Sequence, residues 1–190
     1  WPSSTFTVAD RSTRTGLRLA VSRASLPHED DPTALNRVDG FSVATALAVG
    51  FPAALEPGLS GQKQTTAVRL LDAEGRELPL RLHVVSDASS GAALLIAYPL
   101  RPLSYDTDYV AVVLDEVRPA AGGSFSAPRA VEVALKRAAA ESEEELALAA
   151  YHAPTRALLA RAGIDPSRVL RVWDFTTRSA DGVSGPMTAM

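Results

Sequence analysis

Three features of the sequence predict a mainly β chain, an antiparallel β-sandwich carrying a helical insertion. Up to about residue 116, short runs rich in Val, Leu, Ile, Thr and Tyr are separated by Gly, Pro, Asp and Ser clusters, the pattern of a sandwich with closely spaced turns. Residues 128–162 are instead dominated by Ala, Leu, Glu and Arg, all good helix formers, although residues 130–135 also alternate like a strand. Residues 168–177 then return to strand character through Val169, Leu170, Val172, Trp173 and Phe175. A strand that follows helices must find a sheet to join. The economical solution is that it completes the earlier sandwich, making residues 1–180 one unit with an insertion at about 128–162.

Seven strands are expected before the insertion. Residues 5–9 and 17–21 are short candidates, the second alternating Leu17, Leu19 and Val21 against Arg18 and Ala20. Residues 41–49 follow the Asp39-Gly40 turn signal. Residues 66–72 and 78–85 flank Ala73-Glu74-Gly75-Arg76, a Gly-containing loop typical of a hairpin. In the second of these runs Leu78, Leu80, Leu82 and Val84 share one face while Arg81 and His83 take the other, as in a half-buried strand. The continuous apolar run 92–98 suits a central strand, and 109–116 is a further valine-rich one. In the insertion, Ser142 followed by Glu145 matches a capping box, and Leu146, Ala149 and Ala150 supply an apolar face. Residues 128–139 read as helix, and Pro154 predicts a kink or a second helix starting there and ending at Gly163. At the end of the chain, Ser184-Gly185-Pro186 before apolar residues resembles a helix start, so 181–190 is expected to open a linker or helix toward a further domain.

Composition narrows the function classes. With 46% hydrophobic residues in 190, the chain can bury a core. Its 19 basic and 22 acidic side chains nearly cancel to −3, leaving no field of one sign to hold a nucleic acid. No apolar run approaches the roughly 18 to 20 residues that cross a bilayer. The absence of cysteine removes disulfides, thiolate metal sites and cysteine nucleophiles.

Chemistry-bearing motifs are few. No G-x-S-x-G occurs; Gly58-Leu59-Ser60-Gly61 and Gly182-Val183-Ser184-Gly185 come closest and read as turns. No phosphate-binding glycine loop is present. His28, His83 and His152 lie apart in sequence and form no triad or metal cluster with a nucleophile; only His28 has carboxylate neighbours, in His28-Glu29-Asp30-Asp31 with Asp39 nearby. His83 is expected on a solvent-facing strand side and His152 in a helix break. Neither a catalytic residue nor a cofactor is therefore assigned. Asp30, Asp31 and Asp39 are the candidates for Ca²⁺, although acidic neighbours without EF-hand spacing more often form a solvated turn. The aromatics Tyr98, Tyr109, Trp173 and Phe175 sit within apolar strand runs, where core packing is the expected role. Asp39, Gly40, Phe41, Tyr109, Trp173 and Phe175 are accordingly assigned structural roles: the first two shape a turn, and Trp173 and Phe175 anchor the last strand.

Two segments carry a resemblance. Asn36-x-x-Asp39-Gly40-Phe41-Ser42, followed by a strand and Phe51-Pro52, resembles the opening of the N-terminal domain of bacterial extracellular, virulence-factor type lipases. Val172-Trp173-Asp174-Phe175-Thr176-Thr177 is similar to the strand that closes that domain. Pro99-Leu100-Arg101-Pro102-Leu103 with Thr107-Asp108-Tyr109-Val110 is similar to a strand entry of bacterial Ig-like modules. The resemblance implies an Ig-like sandwich, a secreted, periplasmic or cell-surface location, and a partner in a downstream α/β-hydrolase domain of the same polypeptide, acting on ester bonds. It would make this chain a non-catalytic accessory domain, since no position matches the family's catalytic motifs. The alternative is a free-standing adhesion module binding carbohydrate or protein through its loops. The helical stretch departs from a plain Ig fold.

Overall fold

The computed structural model describes residues 1–26, 28, 30–61 and 66–181. The fold is mainly β, with every paired strand antiparallel to its neighbour. In chain order the strands are β1 (Thr7–Ala9), β2 (Leu17–Leu19), β3 (Leu47–Phe51), β4 (Val68–Asp72), β5 (Glu77–Leu78), β6 (Leu80–Ser86), β7 (Ala93–Pro99) and β8 (Asp108–Leu114). Helices α1 (Arg129–Ala134), α2 (Glu143–Tyr151) and α3 (Ala153–Arg161) follow, and β9 (Val169–Thr176) comes last. Among the described residues the strands form a pair β1-β2, a sheet ordered β3-β7-β6 and a sheet ordered β5-β4-β8-β9. No helix among these residues is long and apolar enough to cross a membrane.

Strand β8 organises the core. All its residues after Asp108 are buried, because both faces are covered. Tyr109, Ala111 and Val113 join one hydrophobic cluster with Leu80 and Leu82 of β6, Leu95 and Ala97 of β7, and Leu47 of β3. Val110, Val112 and Leu114 join a second cluster with Val131, Leu158, Leu159, Ile164 and Val169. A strand covered on both sides reads as a continuous apolar run, as residues 109–114 do. The late segment pairs with β8 from Asp108↔Thr176 to Leu114↔Val169, with an irregularity at Val113/Leu114.

Four expectations need correction. The hairpin at 73–76 is only two residues deep: β4 pairs with β5 at Leu70↔Leu78 and Leu71↔Glu77, whereas β6 pairs with β7 in the other sheet. Pro79 lies at the crossover and has no N–H to continue the β4 ladder. The segment 41–49 is strand only from Leu47; Ser42 and Thr45 close a turn, and Phe41 instead forms an isolated parallel bridge with Thr177. In α2 no residue is buried, and Leu146 is 61% exposed; burial passes to Thr155, Leu158 and Leu159 of α3. Tyr98 is not a core residue. Although β7 is central in its sheet, Leu94 and Tyr98 are 40% and 38% exposed on an open outer face that also carries Arg81 and His83.

Other local signals act as the residues suggest. Of residues 128–139, expected as helix, only Arg129–Ala134 are helical. Ser142 accepts the Glu145 N–H at 3.2 Å, half of a capping box, while the Glu145 side chain turns to Arg129 and the Glu141 N–H. His152 separates α2 from α3, Pro154 sits in the first turn of α3, and Gly163 ends the helical segment at φ 64°. At the β4–β5 turn, Asp72 Oδ1 accepts the N–H groups of Glu74 and Arg76 at 3.1 and 2.9 Å, and Oδ2 accepts Arg76 Nε–H at 2.7 Å. Asp72→Ala removes all three bonds from a buried carboxylate. A loss of about 1 to 2 kcal/mol in urea-induced unfolding is expected; an unchanged midpoint would contradict this role.

Candidate functional site

The β8–β9 register builds a graded surface on the side that faces the helices. Because alternate residues share a face, β9 presents Val172, Asp174 and Thr176, opposite Val112, Val110 and Asp108 of β8. The surface therefore runs from two valines at one end to a carboxylate and a hydroxyl at the other. The helices cover the apolar end. Alongside the polar end lies a cavity of about 1060 Å³, lined by both strands, by all three helices and by the N-terminal segment.

That segment brings in Ser4. Ser3 caps a short 3₁₀ turn, Ser4–Phe6, accepting the Thr5 N–H, and Trp1 packs edge-on against Phe41 with centroids 4.9 Å apart. So held, Ser4 Oγ donates to Asp174 Oδ2 at 2.7 Å, and the Tyr151 hydroxyl donates to the same oxygen at 2.6 Å. Burial and the adjacent Asp174 push the Tyr151 phenol up to about 12, so it remains a donor at neutral pH. Thr176 Oγ1 donates to Asp108 Oδ1 at 2.6 Å. His152 is buried, and its Nδ1 lies 3.1 Å from Thr155 Oγ1.

A serine, a histidine and a carboxylate thus line one cavity, but they are not connected as a nucleophilic triad. The Ser4 hydroxyl goes directly to Asp174, and a carboxylate is a feeble base for an alcohol. The Nδ1 atom of His152 is engaged with Thr155 instead of standing between them. The connectivity, two hydroxyls fixing one carboxylate, suits holding a hydrogen-bond donor.

Burial lowers the His152 pKa from 6.5; the Asp174 charge opposes that shift and Arg156 reinforces it. A depressed histidine pKa contributes stability above the unfolded-state value, and that contribution is lost as pH falls. The thermal midpoint is expected to drop on acidification below about pH 6.5, and to drop less in His152→Gln. An identical drop in both proteins would contradict this assignment.

The residues singled out in the sequence have other roles. Asp39 is buried, and its Oδ1 accepts the Ser179 N–H at 3.0 Å. Asp31 Oδ1 accepts the Thr33 N–H and hydroxyl. Among the described residues no group of three or more His, Cys, Asp or Glu is placed to hold a metal ion, so Asp30, Asp31 and Asp39 are not brought together. Phe41 and Phe175 are buried and meet edge-on at 6.2 Å; Tyr109 stacks on Phe175 at 5.5 Å. The Tyr109 hydroxyl accepts the Ser104 N–H at 2.9 Å. Trp173 is partly buried and packs against that cluster without joining its fully buried members. Ser60 lies in a turn with its Oγ 3.2 Å from His83 Nδ1, on the open sheet face, and no carboxylate among the described residues bonds that imidazole. Gly182-Val183-Ser184-Gly185 and the expected helix start at 184–190 lie outside the described residues.

Ser4, Asp108, Tyr151 and Thr155 were not singled out. Asp174 had a local signal, as a lone carboxylate alternating with Trp173 and Phe175 in a β-prone run. Ser4 and Tyr151 reach it only through tertiary packing. No family model matches the chain, and no curated protein matches it.

Proposed function

We propose that this chain is a non-catalytic accessory module, an Ig-like sandwich with a helical hairpin inserted before its last strand, belonging to a secreted bacterial hydrolase of the lipase or esterase type. In this reading it packs against an α/β-hydrolase domain of the same polypeptide and shapes the approach to its substrate cleft. The observation that carries the reading is the meeting of the two resembling motifs. Phe41 N–H donates to Thr176 O at 2.9 Å and Arg178 N–H donates to Phe41 O at 2.8 Å, so segments more than 130 residues apart form one junction. Asp39 ties the same junction through Ser179. The Ig-like assignment draws support from Tyr109, whose hydroxyl reaches back to the backbone five residues upstream, as in the tyrosine corner of Ig sandwiches. A shared hydrophobic cluster between the two larger sheets supports the sandwich.

The test is p-nitrophenyl ester hydrolysis by the isolated chain. No turnover above buffer is expected; turnover that disappears in Ser4→Ala or Ser60→Ala would overturn the non-catalytic reading. Reading the gene past Met190 tests the partnership. A following G-x-S-x-G domain is expected, whereas a run of further sandwich domains would favour an adhesion module.

A further inference from the structure

We propose that the cavity beside α2 and α3 binds a small amphipathic ammonium compound, its N–H donors on the carboxylates of Asp174 and Asp108 and its hydrocarbon body against Val110, Val172, Leu148 and Leu158. This goes beyond the accessory reading and does not rest on it.

Size, polarity and charge each point the same way. At about 1060 Å³ the cavity matches the upper range of small-molecule sites. Its wall is graded, with the valines of β8 and β9 at one end and Asp108, Asp174 and Thr176 at the other. A ligand that satisfies both ends has an apolar body and one polar head.

The head is defined by what the carboxylates lack. Among the described residues neither Asp108 nor Asp174 is in an ion pair. Ser4 and Tyr151 both donate to Asp174 Oδ2, which holds the carboxylate while leaving Oδ1 without a hydrogen bond among the described residues; Thr176 does the same for Asp108 through Oδ1, leaving Oδ2. The wall also includes Glu144, while Arg161, the one arginine among its described residues, donates to Ala73 O. The site is thus acidic. A carboxylate or phosphate head is repelled, a hydroxyl gains one neutral bond, and an ammonium gains charge-assisted bonds to two prearranged acceptors.

Isothermal titration calorimetry with n-octylamine, 1-octanol and octanoate on the 190-residue chain tests the proposal. Octylamine is expected to bind about tenfold or more tightly than octanol, with octanoate the weakest. Asp174→Asn, which keeps an acceptor for Ser4 and Tyr151, brings octylamine toward parity with octanol. Asp108→Asn reports the same loss independently should the first variant fail to fold. Ala147→Trp, at an exposed α2 position on the cavity wall, weakens both ligands. Absence of binding by all three, binding of octanoate as tight as that of octylamine, or an octylamine preference unchanged in the folded Asp→Asn variants would overturn the proposal.

Discussion

Gly40→Ala is expected to lower the unfolding free energy by about 3 to 5 kcal/mol, a large fraction of the whole for a domain of this size. A Cβ at Gly40 would lie 2.7 Å from Arg178 N, 2.7 Å from Thr177 C and 2.8 Å from Thr176 O. All three are backbone atoms, so no side chain can swing aside to make room. The segment must retreat, and the Phe41–Thr176 and Arg178–Phe41 hydrogen bonds go with it. The Asp39–Ser179 bond sits in the same place. Thr177 is fully buried there, its hydroxyl donating to Ser104 O at 2.7 Å, so displacement also exposes a packed polar group. Urea unfolding followed by tryptophan fluorescence checks this; a midpoint within error of the parent would refute the close approach.

Phe175→Ala is the second large effect, at about 3 to 5 kcal/mol. The ring is 1% exposed and touches Tyr109 by stacking and Phe41 edge-on, so its removal opens a cavity between the last strand and the Asp39-Gly40-Phe41 segment. Trp173→Ala, two residues earlier on the same strand face, is expected to cost only about 1 to 2 kcal/mol. Its indole is only partly buried, and its Nε1 is a buried donor with no hydrogen-bond partner among the described residues, so truncation also relieves that group. The order of the two variants is the informative quantity. A Trp173→Ala loss equal to or greater than that of Phe175→Ala would contradict the packing described.

Strands whose alternation was plain, such as Leu80, Arg81, Leu82 and His83, were legible because burial follows the two-residue period wherever one face meets the core. The valine-rich run at 109–114 was legible as strand, but its covering on both sides depends on where α1 and α3 land. The hairpin at Ala73-Glu74-Gly75-Arg76 misled because the turn itself is real and only the continuation changes sheets, at Pro79. Leu146 misled because helical periodicity reports an apolar stripe without naming a surface to cover it. Asp39-Gly40 carried a true signal with a local interpretation. Its principal contacts reach residues 176–179, and nothing within a short window of sequence specifies a partner so distant. The candidate site shares that difficulty: Asp174 stands out in its strand, whereas Ser4 and Tyr151 reach it across 170 and 23 residues of chain.

Native-state amide hydrogen exchange at Phe41 and Arg178 tests the central junction most directly, since their N–H groups donate the two backbone–backbone hydrogen bonds described between the segments. The account predicts exchange as slow as that of the β8–β9 ladder amides, governed by global unfolding. Exchange at the rate of an open loop, with the β8–β9 amides still protected, would contradict it.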